Sequence, residues 1–126
     1  MHYVLDRAAY DHMVNHPDGE TGQYLRRKSR ELAAYARRQV GVDTGALKAS
    51  INYRVVRDGR GLVAFVGSDN RVAFMHHQGT RPHIIMPRTA KTLRFYSHGR
   101  IVYAQVVRHP GTKPNKYLTD NLRRVI

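Results

Sequence analysis

The fold is decided between Leu32 and Val66, where the chain reads LAAYARRQVGVDTGALKASINYRVVRDGRGLVAFV. The first third of this stretch repeats apolar residues at helical spacing, Leu32, Ala33, Ala36 and Val40, with Arg37 and Arg38 turned elsewhere. The last half changes period. Ile51, Tyr53 and Val55 alternate with Asn52 and Arg54, while Leu62 to Val66 is apolar at every position. Asp58-Gly59-Arg60-Gly61 joins the two runs, and Asp-Gly between strand-like segments signals a hairpin. A helix followed by hairpins, with no crossover helix, points to an α+β domain in which a long N-terminal amphipathic helix packs on an antiparallel sheet.

Outward from that stretch, the helix is expected to begin near Glu20, with Leu25 on the same stripe, and to end at Val40 with Gly41 as its C-cap. Leu5, Ala9 and Met13, four apart, read as a short first helix stopped by Asn15-His16-Pro17-Asp18-Gly19. Val42 to Ser50 reads as a helix of one or two turns with Thr44 as N-cap, its hydroxyl accepting from an otherwise unpaired backbone N–H. Toward the other end, Thr92–Ser97 and Arg100–Val107 flank His98-Gly99 as a second hairpin. Val72–His77 and His83–Met86 are short apolar runs open to either assignment. Asn115 to Val125 carries Leu118, Leu122 and Val125 at helical spacing, with Tyr117 beside them. One domain is expected over 1–126: helices over residues 1–41, mainly antiparallel strands and loops over 42–114, and a short C-terminal helix over 115–126.

The chain has 126 residues and no cysteine or tryptophan, so disulfides, thiolate nucleophiles, cysteine-held zinc and iron–sulfur clusters are excluded. Three Phe and eight Tyr imply a mainly aliphatic core. An acid at Asp6 interrupts the N-terminus too early for a signal peptide, and no apolar run approaches the roughly 18 residues of a bilayer span. The expected place is the cytosol, unless an assembly carries the chain out, without membrane contact.

The formal charge is +13, and it is unevenly distributed. Residues 1–41 contribute +2 and residues 42–126 contribute +11; between Asn70 and Thr119 there are nine Arg or Lys and no carboxylate. Such a segment favours a polyanionic neighbour, either nucleic acid or the acidic face of another protein. Arg88, Lys91, Arg94, Arg100 and Arg108 are the residues expected to face it.

Within this segment the chain repeats itself once. Gly79-Thr80-Arg81-Pro82 and Gly111-Thr112-Lys113-Pro114 share Gly-Thr-basic-Pro, thirty-two residues apart. Glycine permits positive φ, the threonine hydroxyl closes a local turn, and the residue before proline is held extended. Each copy is a sharp turn that displays its basic residue, and both are expected to shape loops at an interface with another molecule.

Chemistry-bearing constellations are sparse. His76, His77 and His83 form the only histidine cluster, and adjacent histidines diverge on either a helix or a strand, so metal or cofactor binding is not expected. Five of the nine carboxylates lie in the N-terminal helices and their turn, and no serine has a nucleophile-elbow context. A metal-free ribonuclease using His98, Arg100, Tyr103 and His109 remains an alternative, as does a salt-sensitive, non-specific nucleic-acid binder with Tyr96 and Tyr103 interleaved among arginines.

The order of motifs resembles the neck or tail-completion proteins of long-tailed bacteriophages, head-to-tail connector or minor tail components. The string Asp43-Thr44-Gly45-x-Leu47-x-x-Ser50-Ile51 carries most of the resemblance. The apolar and aromatic stretch from Phe74 to the Gly79-Thr80 turn, and Pro114 ahead of Leu118, carry the rest. The resemblance implies a non-enzymatic virion component at the head–tail junction that forms a six-fold ring. Its partners would be copies of itself, other neck and tail proteins, and the packaged DNA. Asp43, Thr44 and Gly45 would then fix the helix-to-sheet junction, and the two Gly-Thr-basic-Pro turns would be subunit-interface loops.

Overall fold

A computed structural model describes residues 1–126. The order of elements is α1 (Arg7–Asn15), α2 (Glu20–Gln39), α3 (Ala46–Ser50), β1 (Asn52–Asp58), β2 (Gly61–Gly67), α4 (Ala73–Gln78), β3 (His83–Ile85), β4 (Leu93–Ser97), β5 (Arg100–Ala104), β6 (Val107–His109) and α5 (Thr119–Val125). The class is α+β: a long N-terminal helix, antiparallel strand pairs and a short C-terminal helix.

The body is α2 laid on the β1–β2 hairpin. Ala33 and Ala36 are fully buried, and their short side chains let the helix approach the sheet closely. The register places Tyr53 opposite Val66 and Val55 opposite Ala64 on one face, and Arg54 opposite Phe65 and Val56 opposite Val63 on the other. Tyr53 and Val66 pack on a core of Ala33, Ala36, Val40, Leu47, Ile51, Ala73 and Tyr117. The opposite face carries no second layer, and the Arg54 guanidinium lies 5.2 Å from the centre of the half-exposed Phe65 ring.

Several local expectations are corrected. Gly41 does not cap α2; Val40 holds that position in extended backbone, its N–H donating to the Ala36 carbonyl at 2.9 Å. Thr44 is not the N-cap of α3: Gly45 is, in the left-handed region at φ 82°, and the Thr44 hydroxyl accepts from the Ala46 N–H at 3.3 Å. Helix α1 forms where expected, but none of its apolar residues is fully buried. The Asp6 carboxylate caps it by accepting from the N–H groups of Ala8 and Ala9. Helix α5 starts at Thr119, four residues later than the apolar spacing suggests, because Asn115 is engaged elsewhere.

That engagement joins the end of α2 to the C-terminal segment. Gln39, the last residue of α2, donates through Nε2 to Asn115 Oδ1 and Asp120 Oδ2, both at 3.1 Å, and its Oε1 accepts from Asn121 Nδ2 at 2.7 Å. Asn121, 3% exposed, also donates to the Tyr117 carbonyl at 2.8 Å. Asn121→Leu would leave both acceptors without their donor. We expect it to lower stability by about 1–3 kcal/mol in urea unfolding, the penalty for stranding a buried polar group.

Candidate functional site

The two Gly-Thr-basic-Pro turns meet each other. Thr80 and Thr112 form an antiparallel bridge in which each N–H donates to the other's carbonyl at 3.0 Å, and their hydroxyls lie 3.1 Å apart. Both glycines have positive φ, 75° at Gly79 and 85° at Gly111. Each also lies against the backbone of the opposite turn: a Cβ on Gly79 would stand 2.6 Å from the Thr112 carbonyl oxygen, and one on Gly111 would stand 2.3 Å from that of Thr80. The repeat is therefore a clasp with approximate two-fold reciprocity. Arg81, Pro82, Lys113 and Pro114 remain exposed on its outer side.

The clasp is the first rung of a long two-stranded arm. Thr80 faces Thr112, His83 faces His109 and Ile85 faces Val107 in one unbroken register. Leu93 then faces Ala104 and Ser97 faces Arg100, a register displaced by the surplus residues of Met86–Thr92 over Gln105–Val106. His98 and Gly99 close the tip with φ of 51° and 76°, the pair of left-handed residues that a tight hairpin turn requires. The β4–β5 pair packs mainly on itself.

Leu93, Phe95, Val102 and Ala104 share one side of the arm and are half-buried, whereas Arg94, Tyr96, Ile101 and Tyr103 share the exposed side. Arg88, Lys91, Arg94, Arg100 and Arg108 are all exposed, and none makes an ion pair. A lone two-stranded ribbon is marginally stable in water, so the arm has the chemistry of a segment that gains from being covered.

Asp43, Thr44 and Gly45 line a groove of about 640 Å³ between the α2–α3 loop and the start of α4. Val42, Leu47 and Val72 supply its apolar wall, with Asn70 and His76 as polar members. The Asp43 carboxylate has no cationic partner within the chain. Val42 is 65% exposed and Val72 46%, so the wall lies open to solvent.

The histidines are held in packing and hydrogen bonds. His76 and His77 both lie against Tyr117, with ring centres 5.8 and 5.5 Å away, and His83 stacks on His109 at 4.9 Å. The four ribonuclease candidates are not assembled at one point. His98 and Arg100 lie at the arm's tip and His109 at its base, with β5 alone spanning about 16 Å between them.

Burial raises the Tyr117 hydroxyl above its usual 10.0. The neutral form stabilises the fold fully below pH 10, and that contribution is lost as pH rises through the raised value. In parallel alkaline titrations followed by far-UV circular dichroism, Tyr117→Phe is therefore expected to retain stability above pH 10 better than the unmodified chain.

The exposed surface totals 10,432 Å² and only 13 of 126 residues are buried. A folded monomer of 14.5 kDa ordinarily exposes about 6,900 Å², so this chain leaves about 3,500 Å² more in solvent. No family model, curated protein or solved structure matches the chain.

Proposed function

We propose that the chain is a structural virion protein of a tailed bacteriophage, a ring-forming neck or tail-completion component that joins tail to head. The observation that carries this reading is the surplus surface. A ring subunit presents two different faces to its neighbours, and obligate interfaces cover about 1,000–2,500 Å² of each partner. Two such faces account for the surplus of about 3,500 Å² over an ordinary monomer. The resemblance carried by Asp43-Thr44-Gly45, Leu47, Ser50 and Ile51 supplies the place in the virion and the six-fold symmetry.

The role is mechanical. Clasp, arm and groove present shape, apolar area and charge to other molecules: further copies of the chain, the neighbouring neck and tail proteins, and the DNA that passes the junction. Six copies at +13 each accumulate a large positive charge, which an acidic neighbouring ring or the DNA would offset.

The test is genetic and microscopic. A phage lacking this gene is expected to yield filled heads and separate tails, and adding the purified protein to that lysate is expected to join them. Joined virions without the gene would overturn the reading. So would RNA cleavage by the purified chain that a single substitution at His98 or Arg100 abolishes.

A further inference from the structure

The arm and the junction groove are chemically matched. The arm from His83 to His109 carries five unpaired cations and no carboxylate, interleaved with apolar residues on both of its sides. The groove has an apolar wall of Val42, Leu47 and Val72, beside the unpaired carboxylate of Asp43. We propose that the arm of one subunit seats in the Val42–Asp43–Val72 groove of a second copy, so that subunits join head to tail. The inference rests on the reading that the chain assembles with itself, and it names the two surfaces that meet.

Three observations select this pairing. First, the distal pair β4–β5 packs mainly on itself, so an arm does not fill the groove of its own body. Second, the outer face of β1–β2, another open apolar surface, sets the Arg54 guanidinium across Phe65, a cation where the groove has a carboxylate. Third, Leu93, Phe95 and Val102, with the exposed Ile84, Met86 and Ile101, need apolar cover. A protein wall supplies such cover and a phosphate backbone does not. An arm on one side and a groove on the other make a heterologous contact, the kind that closes a ring or extends a filament.

The chain's own geometry provides clean variants. Ile85 faces Val107, so replacing Met86–Val106 by a two-residue Asn-Gly turn removes the distal arm and keeps the base register. No core residue lies in the deleted segment. Asp43→Arg reverses the groove charge at an exposed side chain that forms no ion pair within the fold. Both variants are checked for native far-UV circular dichroism, then studied by sedimentation velocity at low salt up to the solubility limit.

The full chain is expected to form species larger than a dimer and to lose them as salt rises, because the contact is partly electrostatic. Each variant alone is expected to remain a monomer. Mixed in equal amounts, they are expected to give a one-to-one dimer and nothing larger, since only one arm and one groove remain between them. Undiminished assembly of the arm-deleted variant would overturn the arm-in-groove pairing and leave the self-assembly reading standing. A full chain that stays monomeric would sink both. Monomers that bind duplex DNA through the arm, with at least tenfold weaker binding after its deletion, would make the arm a nucleic-acid element and overturn the pairing.

Discussion

Tyr117→Ala is expected to unfold the body of the protein at room temperature, or to bring its urea midpoint close to zero. Tyr117 is 1% exposed and is the largest fully buried side chain. It stands at the centre of a core whose other members, Ala33, Ala36, Val40, Leu47, Ile51 and Ala73, are all smaller. Truncating a buried aromatic residue to alanine costs about 3–5 kcal/mol, through lost transfer energy and the cavity left behind. Domains of this size rarely hold more than about 5–15 kcal/mol in total, and this one buries an unusually small share of itself. The loss also removes the ring against which His76 and His77 pack, so α4 is expected to detach from α5. Tyr117→Phe separates volume from hydroxyl: at neutral pH it should unfold within about 1 kcal/mol of the original chain, as conservative core exchanges do. A folded, cooperative Tyr117→Ala variant with an unchanged midpoint would show that the core lies elsewhere.

Gly111→Ala is expected to open the clasp while the body stays folded. The new Cβ would stand 2.3 Å from the Thr80 carbonyl oxygen and 3.0 Å from the Pro82 nitrogen, both backbone atoms that cannot swing aside. The φ of 85° adds about 1–2 kcal/mol of strain for any residue with a side chain. Relief requires breaking the two Thr80–Thr112 backbone bonds, each worth about 1 kcal/mol net. Those bonds are broken in the exchanging state of either chain, so the strain sets the change: about 1–2 kcal/mol, or roughly tenfold faster amide hydrogen exchange at Thr80 and Thr112, with protection in α2 unchanged. Equal protection at both amides would show that the two turns are independent loops.

The sequence made the body legible because its signals are local. The stripe from Leu25 to Val40 needs only helical spacing, and Asp58-Gly59 and His98-Gly99 name their hairpins from two residues each. The clasp was visible only as a repeat. Gly-Thr-basic-Pro prescribes two identical turns, but nothing in the local chemistry says that turns thirty-two residues apart bond to each other. The close glycine contacts that betray the pairing exist only in three dimensions.

Position mattered as much as range. Val72–His77 lacks a capping side chain and is too short for periodicity to separate helix from strand, so α4 emerged only from packing, with Ala73 buried in the core. The cap expected at Gly41 failed because the chain already leaves the helix at an extended Val40, and Asn115 Nδ2 donates to the Gln39 carbonyl. Within Asp43-Thr44-Gly45, Gly45 rather than Thr44 takes the N-cap position of α3, a choice that its positive φ decides and the sequence does not display. Gln39 and Asn121 gave no sequence signal at all, since a polar residue at a helix end is ordinarily solvated.

The surplus residues between Ile85 and Leu93 give the arm two legs of unequal length. Slack on one leg lets the outer ladder pivot on the inner one without a rung of either being given up. In the proposed ring, copies whose bodies are held at fixed angles would thus tolerate small errors of spacing between neighbours. A fluorophore or affinity tag inserted between Thr89 and Ala90 would report that swing without disturbing the alignment of either strand pair.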